Sequence, residues 1–210
     1  MLLALDTATP RVTVALWDDG VVDSATSEQT MRHGEILAPM ISAALVRAGA
    51  VRQDVTAVAA GVGPGPYTGL RVGLVTARTL GFALEIPVYG VCTLDVLAAQ
   101  AVAGGIGSPF TVTLDARRKE LFWAGYDADG VRLDGPHVDV PQGVPDDVPV
   151  VGAGPVLYPD VWRTVREPVG PDAGWLAHVV AEELAELVDP EPIYLRRPDA
   201  VVPGPAKRVS

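Results

Sequence analysis

Runs of apolar residues separated by polar turns divide the first part of the chain into three short β-strands. Met1–Asp6 is almost wholly apolar and ends in a carboxylate, which predicts a buried strand. Apolar residues take alternate positions over Arg11–Trp17, as expected for a strand with one buried face. Asp18-Asp19-Gly20 predicts a hairpin turn, and Val21–Ser27 is the expected third strand.

The pattern then changes to the three- and four-residue spacing of helices. Leu37, Ile41 and Ala44 fall on one face of a helix that we predict over Gly34–Gly49. The elements that follow are a strand over Val55–Gly61, a helix from about Thr68 to Leu84, a strand over Pro87–Val91 and a helix over Thr93–Val102.

The strand pattern restarts after the glycine-rich stretch Gly104–Pro109, which predicts a domain boundary. Phe110–Asp115 ends in a carboxylate, as Met1–Asp6 does, and each is followed by a second strand and a turn that contains glycine. Either the chain contains an internal repeat, or two hairpins are alike by coincidence. We expect a first lobe over residues 1–104, a second, reduced lobe over 105–197 with a last helix at Trp175–Leu187, and a loose tail over 198–210.

This order of elements also predicts the fold class. Three strands, a helix, a strand and a helix form an RNase H-like α/β unit, and the chain carries one full copy followed by a reduced one. Two such lobes facing each other make the actin/hexokinase/Hsp70-like (ASKHA) architecture. The expected fold is therefore α/β with two RNase H-like lobes.

The composition of the chain indicates which kinds of partner it can bind and in which cellular compartment it is found. The 210 residues are 49% hydrophobic and carry a formal net charge of −10, so we expect a globular chain whose surface repels phosphate backbones. Direct, tight binding of nucleic acid is not expected. Cys92 is the single cysteine, which excludes an intramolecular disulfide, fits the cytoplasm and is expected to be a buried, inert thiol. No apolar stretch is long enough to span a membrane.

Candidate catalytic groups are few. The three histidines, His33, His137 and His178, are far apart and have no metal-ligand spacing. The sequence has neither an HExxH motif nor a Ser/His/Asp signature that would indicate a peptidase. The basic run Arg117-Arg118-Lys119 is either a solvated turn or a contact for an anion or a partner.

Two turns are candidates for binding an anion. Asp6 and Thr7 stand where the ASKHA architecture places its first phosphate loop, but the turn lacks glycine, and Asp6 is alternatively an anchor for its own turn. The loop Gly63–Arg71 offers Gly65 and a candidate helix N-cap, Thr68, but lacks the lysine of a Walker motif. The candidate anion or nucleotide contacts are therefore Asp6, Thr7, Gly65 and Thr68.

Small residues recur every four positions in the helix after this loop, at Gly69, Gly73, Ala77 and Gly81. Each glycine lowers helix stability by about 1 kcal/mol relative to alanine, so another backbone is expected to pack closely against them. That backbone belongs either to the chain's own sheet or to a partner subunit. The candidate partner surface comprises His33, Leu37, Met40, Ile41, Arg71, Gly73, Leu74, Val75 and Arg78.

The segment Gly63-Pro64-Gly65-Pro66-Tyr67-Thr68-Gly69-Leu70-Arg71 resembles the signature of the TsaB (YeaZ) family, in which serine usually stands at the position of Pro66. This family is the dimerisation subunit of the bacterial complex that makes threonylcarbamoyladenosine in tRNA. Other segments along the chain also resemble the family and occur in the same order as in the family. They are Leu5–Thr9, His33–Pro39, Leu114–Arg118 and Pro192–Arg196.

The resemblance implies a two-lobed ASKHA fold without catalysis of its own. It implies pairing with a catalytic, metal-binding TsaD-type paralogue through the first-lobe helices and contact with a small TsaE-type ATPase. Whether the chain forms a homodimer or stays a monomer when it is alone is left open. It also implies that this chain binds no cofactor by itself, while ATP and a metal belong to the partner subunits. The alternative function is an ASKHA-type phosphotransferase or ATPase that uses Asp6 and the cleft between the lobes.

Overall fold

The computed structural model describes residues 1–28, 32–162 and 166–196, which form two mixed β-sheets and five α-helices. The first sheet has the strand order β3-β2-β1-β4-β5. Its strands are β1 (Leu2–Asp6), β2 (Val12–Trp17), β3 (Val21–Ser27), β4 (Ala57–Gly61) and β5 (Val88–Val91). The pairs β1–β2 and β2–β3 are antiparallel, whereas β1–β4 and β4–β5 are parallel. This is the topology of the RNase H-like unit that the sequence predicts.

The second sheet repeats this arrangement with one strand fewer. Its order is β8-β7-β6-β9, with antiparallel pairs β6–β7 and β7–β8 and a parallel pair β6–β9. The strands are β6 (Phe110–Asp115), β7 (Leu121–Tyr126), β8 (Arg132–Asp139) and β9 (Val150–Gly152). Because β6 corresponds to β1 and β9 to β4, the similarity in the sequence reflects an internal structural repeat rather than coincidence.

Helices α1 (His33–Arg47) and α2 (Tyr67–Leu84) cover one face of the first sheet. Leu37 and Ile41 of α1 and Leu74 of α2 belong to the same buried cluster as Leu3, Val14 and Val58 of the strands. The central strands β1 and β4 are buried along nearly their whole length, because helices pack on both faces of this sheet. Among the helices formed by the described residues, none has both the length and the hydropathy needed to cross a bilayer.

The two lobes exchange helices across the predicted boundary at residue 104. Helix α3 (Thr93–Ala103) precedes the boundary but packs in the core of the second sheet, through Leu94, Leu97 and Ala98. Helix α5 (Ala173–Ala181) follows the second sheet but returns to the free face of the first, where Leu176 meets alanines of β1, β2 and β4. The boundary at residue 104 therefore separates the two sheets but not their helices.

Two predicted helix ends are wrong. Helix α2 begins at Tyr67 with Pro66 at the N-cap position, so Thr68 lies inside the first turn and does not cap the helix. The last helix ends at Ala181 rather than Leu187, because Glu183 takes a left-handed φ of 52° and the Leu184 N–H donates to the Val179 carbonyl. The predicted loose tail, 198–210, lies outside the described residues.

Candidate functional site

The carboxylate of Asp6 is buried at the end of β1, where it anchors its own turn. Only 1% of the residue is exposed. One carboxylate oxygen accepts a hydrogen bond of 2.7 Å from the Ala8 N–H, and the other accepts one of 2.8 Å from the Thr93 hydroxyl at the start of α3. The carboxylate fills the space beside Gly61 on β4, where any Cβ atom would overlap it. Of the two roles considered for Asp6, the structure supports the structural one.

Burial raises the pKa of Asp6 from an ordinary 3.8 to about 6, although the hydrogen bonds from Ala8 and Thr93 act to lower it. A perturbed carboxyl group is often a sign of a functional site. Here both carboxylate oxygens already accept hydrogen bonds within the protein, so the pKa is raised because the carboxylate is removed from water. It lies where the turn after β1 meets β4 and the start of α3, and we call this packed contact the joint.

The Gly/Pro loop before α2 is tied to the same joint. Gly63 has φ of +94°, a conformation that favours glycine. Its carbonyl accepts a hydrogen bond of 2.7 Å from the Thr93 N–H, and its own N–H donates to the Thr93 hydroxyl over 3.3 Å. Thr93 therefore links the turn after β1 to the loop before α2.

The glycines of this loop and helix press directly on the turn after β1. A Cβ atom on Gly65 would overlap the Ala8 carbonyl oxygen, and one on Gly69 would lie 2.5 Å from the Thr7 carbonyl oxygen. A Cβ atom on Gly73 would overlap the Thr7 hydroxyl, which itself donates a 2.7 Å hydrogen bond to the Gly69 carbonyl. The close approach that the glycine stripe requires is therefore made by the chain's own first strand and its turn.

This packing corrects the predicted anion site. Asp6 and Thr7 are buried, and Gly65 faces the Ala8 backbone, so these three residues form an internal joint rather than an open cradle. Thr68 is exposed in the first turn of α2. The four residues do not form one accessible site, because each of the two candidate phosphate loops fills the space beside the other.

The predicted partner surface divides into a buried and an exposed part. Four of the predicted residues are buried in the chain's own core: Leu37, Ile41, Gly73 and Leu74. The prediction that they contact a partner is wrong, because these residues are not accessible in this fold. The helical spacing that suggested them is the spacing of a face that packs on the sheet. His33 and Met40 are half-buried, and the His33 Nε2 atom lies 2.9 Å from the Thr9 carbonyl oxygen.

The opposite face of α2 is exposed, and it carries the remaining predicted residues, Arg71, Val75 and Arg78. Val75 is 61% exposed, and Phe82, about two turns further on, is 89% exposed. Phe82 was missing from the predicted surface, although its position seven residues after Val75 places it on the same face. This exposed face, which we define as Arg71, Val75, Arg78 and Phe82, combines apolar and cationic side chains.

The cleft between the lobes is a separate cavity of about 280 Å³. It is lined mainly by the turn after β1, the end of β6 and the short helix α4 (Gly154–Leu157), including Pro10, Leu114, Asp115 and Val156. Asp6 is not among the lining residues, so the predicted use of Asp6 in this cleft is wrong. At the rim, Arg11 forms an ion pair of 2.8 Å with Glu28.

Other candidate groups are placed as follows. Cys92 is buried, as predicted, and burial together with the charge of Asp95 raises the pKa of its thiol to about 12. Within residues 1–28, 32–162 and 166–196, no group of three or more His, Cys, Asp or Glu side chains is arranged to hold a metal ion. The basic run Arg117–Lys119 forms the turn between β6 and β7 and is exposed.

Known proteins similar to this chain agree with this architecture. The family model of TsaD, described as tRNA N6-adenosine threonylcarbamoyltransferase, matches residues 19–142. A structure from Pseudomonas aeruginosa, described as an uncharacterized protein with similarity to peptidase YEAZ, superposes with a TM-score of 0.78. The two sequences are 29% identical, and the superposition covers 93% of this chain and 99% of that one. The fold is thus the ASKHA fold that the sequence predicts.

Two relatives in sequence extend the comparison. An uncharacterized protein of Mycobacterium tuberculosis is 41% identical over 205 residues, which are 95% of this chain and 93% of the relative. The tRNA threonylcarbamoyladenosine biosynthesis protein TsaB of Escherichia coli is 37% identical over 128 residues, which are 61% of this chain and 55% of that protein. Within the wider group that the TsaD model describes, this chain belongs to the TsaB/YeaZ family.

Proposed function

We propose that this chain is a non-catalytic subunit required for threonylcarbamoyl transfer to the adenosine next to the anticodon of tRNAs. It acts by pairing with a catalytic, metal-binding TsaD-type paralogue. The observation that carries the proposal is the packing of Gly65 and Gly69 on the Thr7–Ala8 backbone and of Gly73 on the Thr7 side chain. Where a catalytic member of this architecture would need an open phosphate loop, the chain has an internal joint.

The same packing supports the choice of partner surface. Because the glycine stripe of α2 faces the chain's own sheet, the helix turns its larger side chains outward. Phe82 is almost fully exposed, and Val75 lies on the same side of the helix. An aromatic and an aliphatic residue flanked by arginines is the composition expected at the centre of a protein interface. We therefore assign pairing with the TsaD-type subunit to the exposed face of α2, with a second copy of this chain as the occupant when that subunit is absent.

One of the two arginines of this face is already oriented by the chain. Arg78 forms an ion pair of 2.9 Å with Glu191, and both side chains are more than half exposed. An exposed pair of this kind contributes little to folding, about 0–1 kcal/mol. Its expected contribution is to the geometry and specificity of docking.

The role of the chain is tested by reconstitution. Purified tRNA, the TsaD-type subunit, a TsaE-type ATPase and the threonylcarbamoyl donor are combined with and without this chain, and threonylcarbamoyladenosine is measured by mass spectrometry of digested tRNA. We expect product only when the chain is present. Equal product in its absence would contradict the proposal, and so would ATP-dependent thermal stabilisation of the isolated chain, which would indicate a nucleotide site of its own.

The surface is tested with Phe82→Ser. Truncation of an exposed aromatic residue leaves the fold intact, while loss of an interface anchor costs at least about 2 kcal/mol, or roughly 30-fold in affinity. We expect this loss in calorimetric titrations with the TsaD-type subunit. Leu133→Ser is the matched control, because Leu133 is an exposed apolar residue of β8 in the second lobe. Equal affinities of the two variants would move the interface away from α2.

A further inference from the structure

The segment that follows α5 crosses between the two lobes with little structure of its own. Residues 182–196 contain neither a helix nor a strand, apart from one antiparallel bridge between Val188 and Gly90 of β5. None of these residues is fully buried. A segment with so few buried contacts opens at a lower free energy than the core on which it lies. We call residues 186–196 the strap.

On the first lobe, the strap is attached at the edge of the sheet and at the loop before α2. The Gly90 and Val188 N–H groups donate to each other's carbonyl oxygens over 2.8 and 2.9 Å, and the Ile193 N–H donates to the Val62 carbonyl over 2.9 Å. A Cβ atom on Gly90 would lie 2.7 Å from the Asp189 carbonyl oxygen, so the strap passes too close to β5 for a side chain there. The Ile193 side chain packs against the apolar cores of both lobes.

On the second lobe, the strap is attached near both of its ends. At its start, a carboxylate oxygen of Glu186 lies 3.8 Å from the guanidinium of Arg132 in β8. At its end, Arg196 donates a 2.8 Å hydrogen bond to the Ala116 carbonyl and pairs with Glu120. The strap therefore connects the two lobes through contacts that are polar and partly exposed.

Between these attachments, the strap contacts side chains of the exposed face of α2. Glu191 forms the ion pair with Arg78 described above. The Tyr194 ring stacks on Tyr67 at the start of α2, with ring centroids 5.1 Å apart, and the Arg71 guanidinium lies 3.8 Å from the centre of the Tyr67 ring. Both arginines of the exposed face are thus held by the strap, one directly and the other through Tyr67.

We propose that the strap couples the exposed face of α2 to the second lobe. It attaches and detaches as a unit, and the TsaD-type subunit binds the attached form more tightly. Ordering a long side chain costs entropy when two proteins associate, so arginines that the strap already holds lower the cost of docking. Arg78 remains 53% exposed, and a guanidinium has five N–H donors, so the pair with Glu191 orients Arg78 without occupying it.

Coupling of this kind is reciprocal. If attachment of the strap favours docking on α2, docking favours attachment of the strap by the same free energy. Contacts with the second lobe, such as that of Arg196 with Ala116, are then strengthened by a partner bound to the first lobe. The proposal rests on the proposed function, because it takes α2 as the pairing surface.

The test detaches the strap at a place that a partner cannot touch. Gly90 is buried in β5, and Gly90→Ala forces the strap away because the added Cβ atom meets strap backbone. We expect affinity for the TsaD-type subunit, measured by calorimetry, to fall about fivefold. Hydrogen exchange of the Val188 and Ile193 amides should become at least about tenfold faster. The matched control is Gly125→Ala in β7, where the nearest neighbour of an added Cβ atom would lie 3.9 Å away.

A second variant acts on the other side of the strap. Tyr194→Ala removes the stacking on Tyr67, and it should lower affinity and speed exchange at Ile193 together, whereas Tyr194→Phe should retain both. This variant keeps the test decisive if urea unfolding shows that the Gly90→Ala chain does not fold. In the unmodified chain, addition of the TsaD-type subunit should slow exchange at Val188.

The outcomes separate this proposal from the proposed function. Unchanged affinity of a folded Gly90→Ala chain would overturn the coupling alone, and so would tighter pairing, which would identify the strap as a competitor for Arg78. Loss of affinity in Tyr194→Ala without faster exchange at Ile193 would make Tyr194 a direct contact and would also overturn it. Failure of the unmodified chain to pair with the TsaD-type subunit would overturn the proposed function and the coupling with it.

Discussion

The turns that follow β1 and β6 occupy equivalent positions in the two copies of the repeat, yet one is closed and the other open. After β1, the Asp6 carboxylate is buried and the turn is covered by the glycines of α2. After β6, Asp115 is partly exposed, lines the cleft between the lobes and pairs with Arg117 over 3.2 Å. The same strand topology thus supports a structural joint in one lobe and an accessible cationic turn in the other.

The helix that follows the fourth strand of each copy explains the difference. In the first lobe this is α2, which has 18 residues and reaches across the turn after β1. In the second lobe it is α4, which has four residues. There, Gly152 and Gly154 pack on Thr113 within β6 rather than on the turn beyond it. Shortening the helix leaves the second turn uncovered, and the comparison shows that closure depends on the helix rather than on the strands.

The largest expected effect comes from a substitution that disrupts the packing of α2 and its preceding loop on the turn after β1. Gly65→Ala adds a Cβ atom that would overlap the Ala8 carbonyl oxygen and lie 2.9 Å from its carbon. Because the obstacle is backbone, rotation of a side chain cannot relieve the overlap, and we expect a loss of more than about 3 kcal/mol in unfolding free energy. Urea unfolding measures the change. Gly34→Ala in α1 is the control, since its nearest neighbour would lie 3.9 Å away; equal stabilities would show that the joint is loose.

The next effect is the pH dependence that Asp6 confers on stability. The pKa of Asp6 is about 6 in the folded chain and near 3.8 when unfolded. Between these values the folded state holds the proton and the unfolded state does not, so unfolding free energy falls as pH rises through this window. The contribution of Asp6 amounts to about 3 kcal/mol, present at low pH and lost above about pH 6.

Asp6→Asn removes this titration. The difference in unfolding free energy between the unmodified chain and the variant should therefore decrease by about 2 kcal/mol from pH 4 to pH 7, because other groups cancel in the comparison. Asp115→Asn serves as a control for exchange of a carboxylate for an amide at the equivalent, open turn. A difference that does not change with pH would show that Asp6 is solvated in the folded chain.

The smallest expected effect relieves strain in the open turn. Lys119 is left-handed, with φ of 62°, and glycine adopts this conformation without the penalty of a Cβ atom. Lys119→Gly should therefore raise unfolding free energy by about 1 kcal/mol in thermal or urea unfolding. Arg52→Gly, in a turn of ordinary φ, is the control and should lower it. Destabilisation by Lys119→Gly would mean that the lysine side chain supports the turn.

The sequence predictions were accurate where the structure depends on residues that are close together in the chain, and less so where it depends on contacts between distant segments. Strand Phe110–Asp115 was predicted to the residue, and Leu84 was predicted correctly as the end of α2. Both depend on alternation or helical spacing within a few neighbouring residues. The sequence also indicated that the glycine stripe needs a close neighbour but left that neighbour undetermined, because spacing along a helix does not say which backbone lies opposite.

The sequence by itself determined the elements, the repeat, the family signature and the sign of the overall charge, since each is a local or additive property. Tertiary structure decided that α5 crosses back to the first sheet, because the alanines of β1, β2 and β4 leave room for it there. It decided that Thr7 and Ala8 are the residues that pack against the glycines of α2 and its preceding loop, and that Phe82 is exposed to solvent. These outcomes depend on which segments distant in the chain meet in the folded protein, and that is settled by packing in three dimensions.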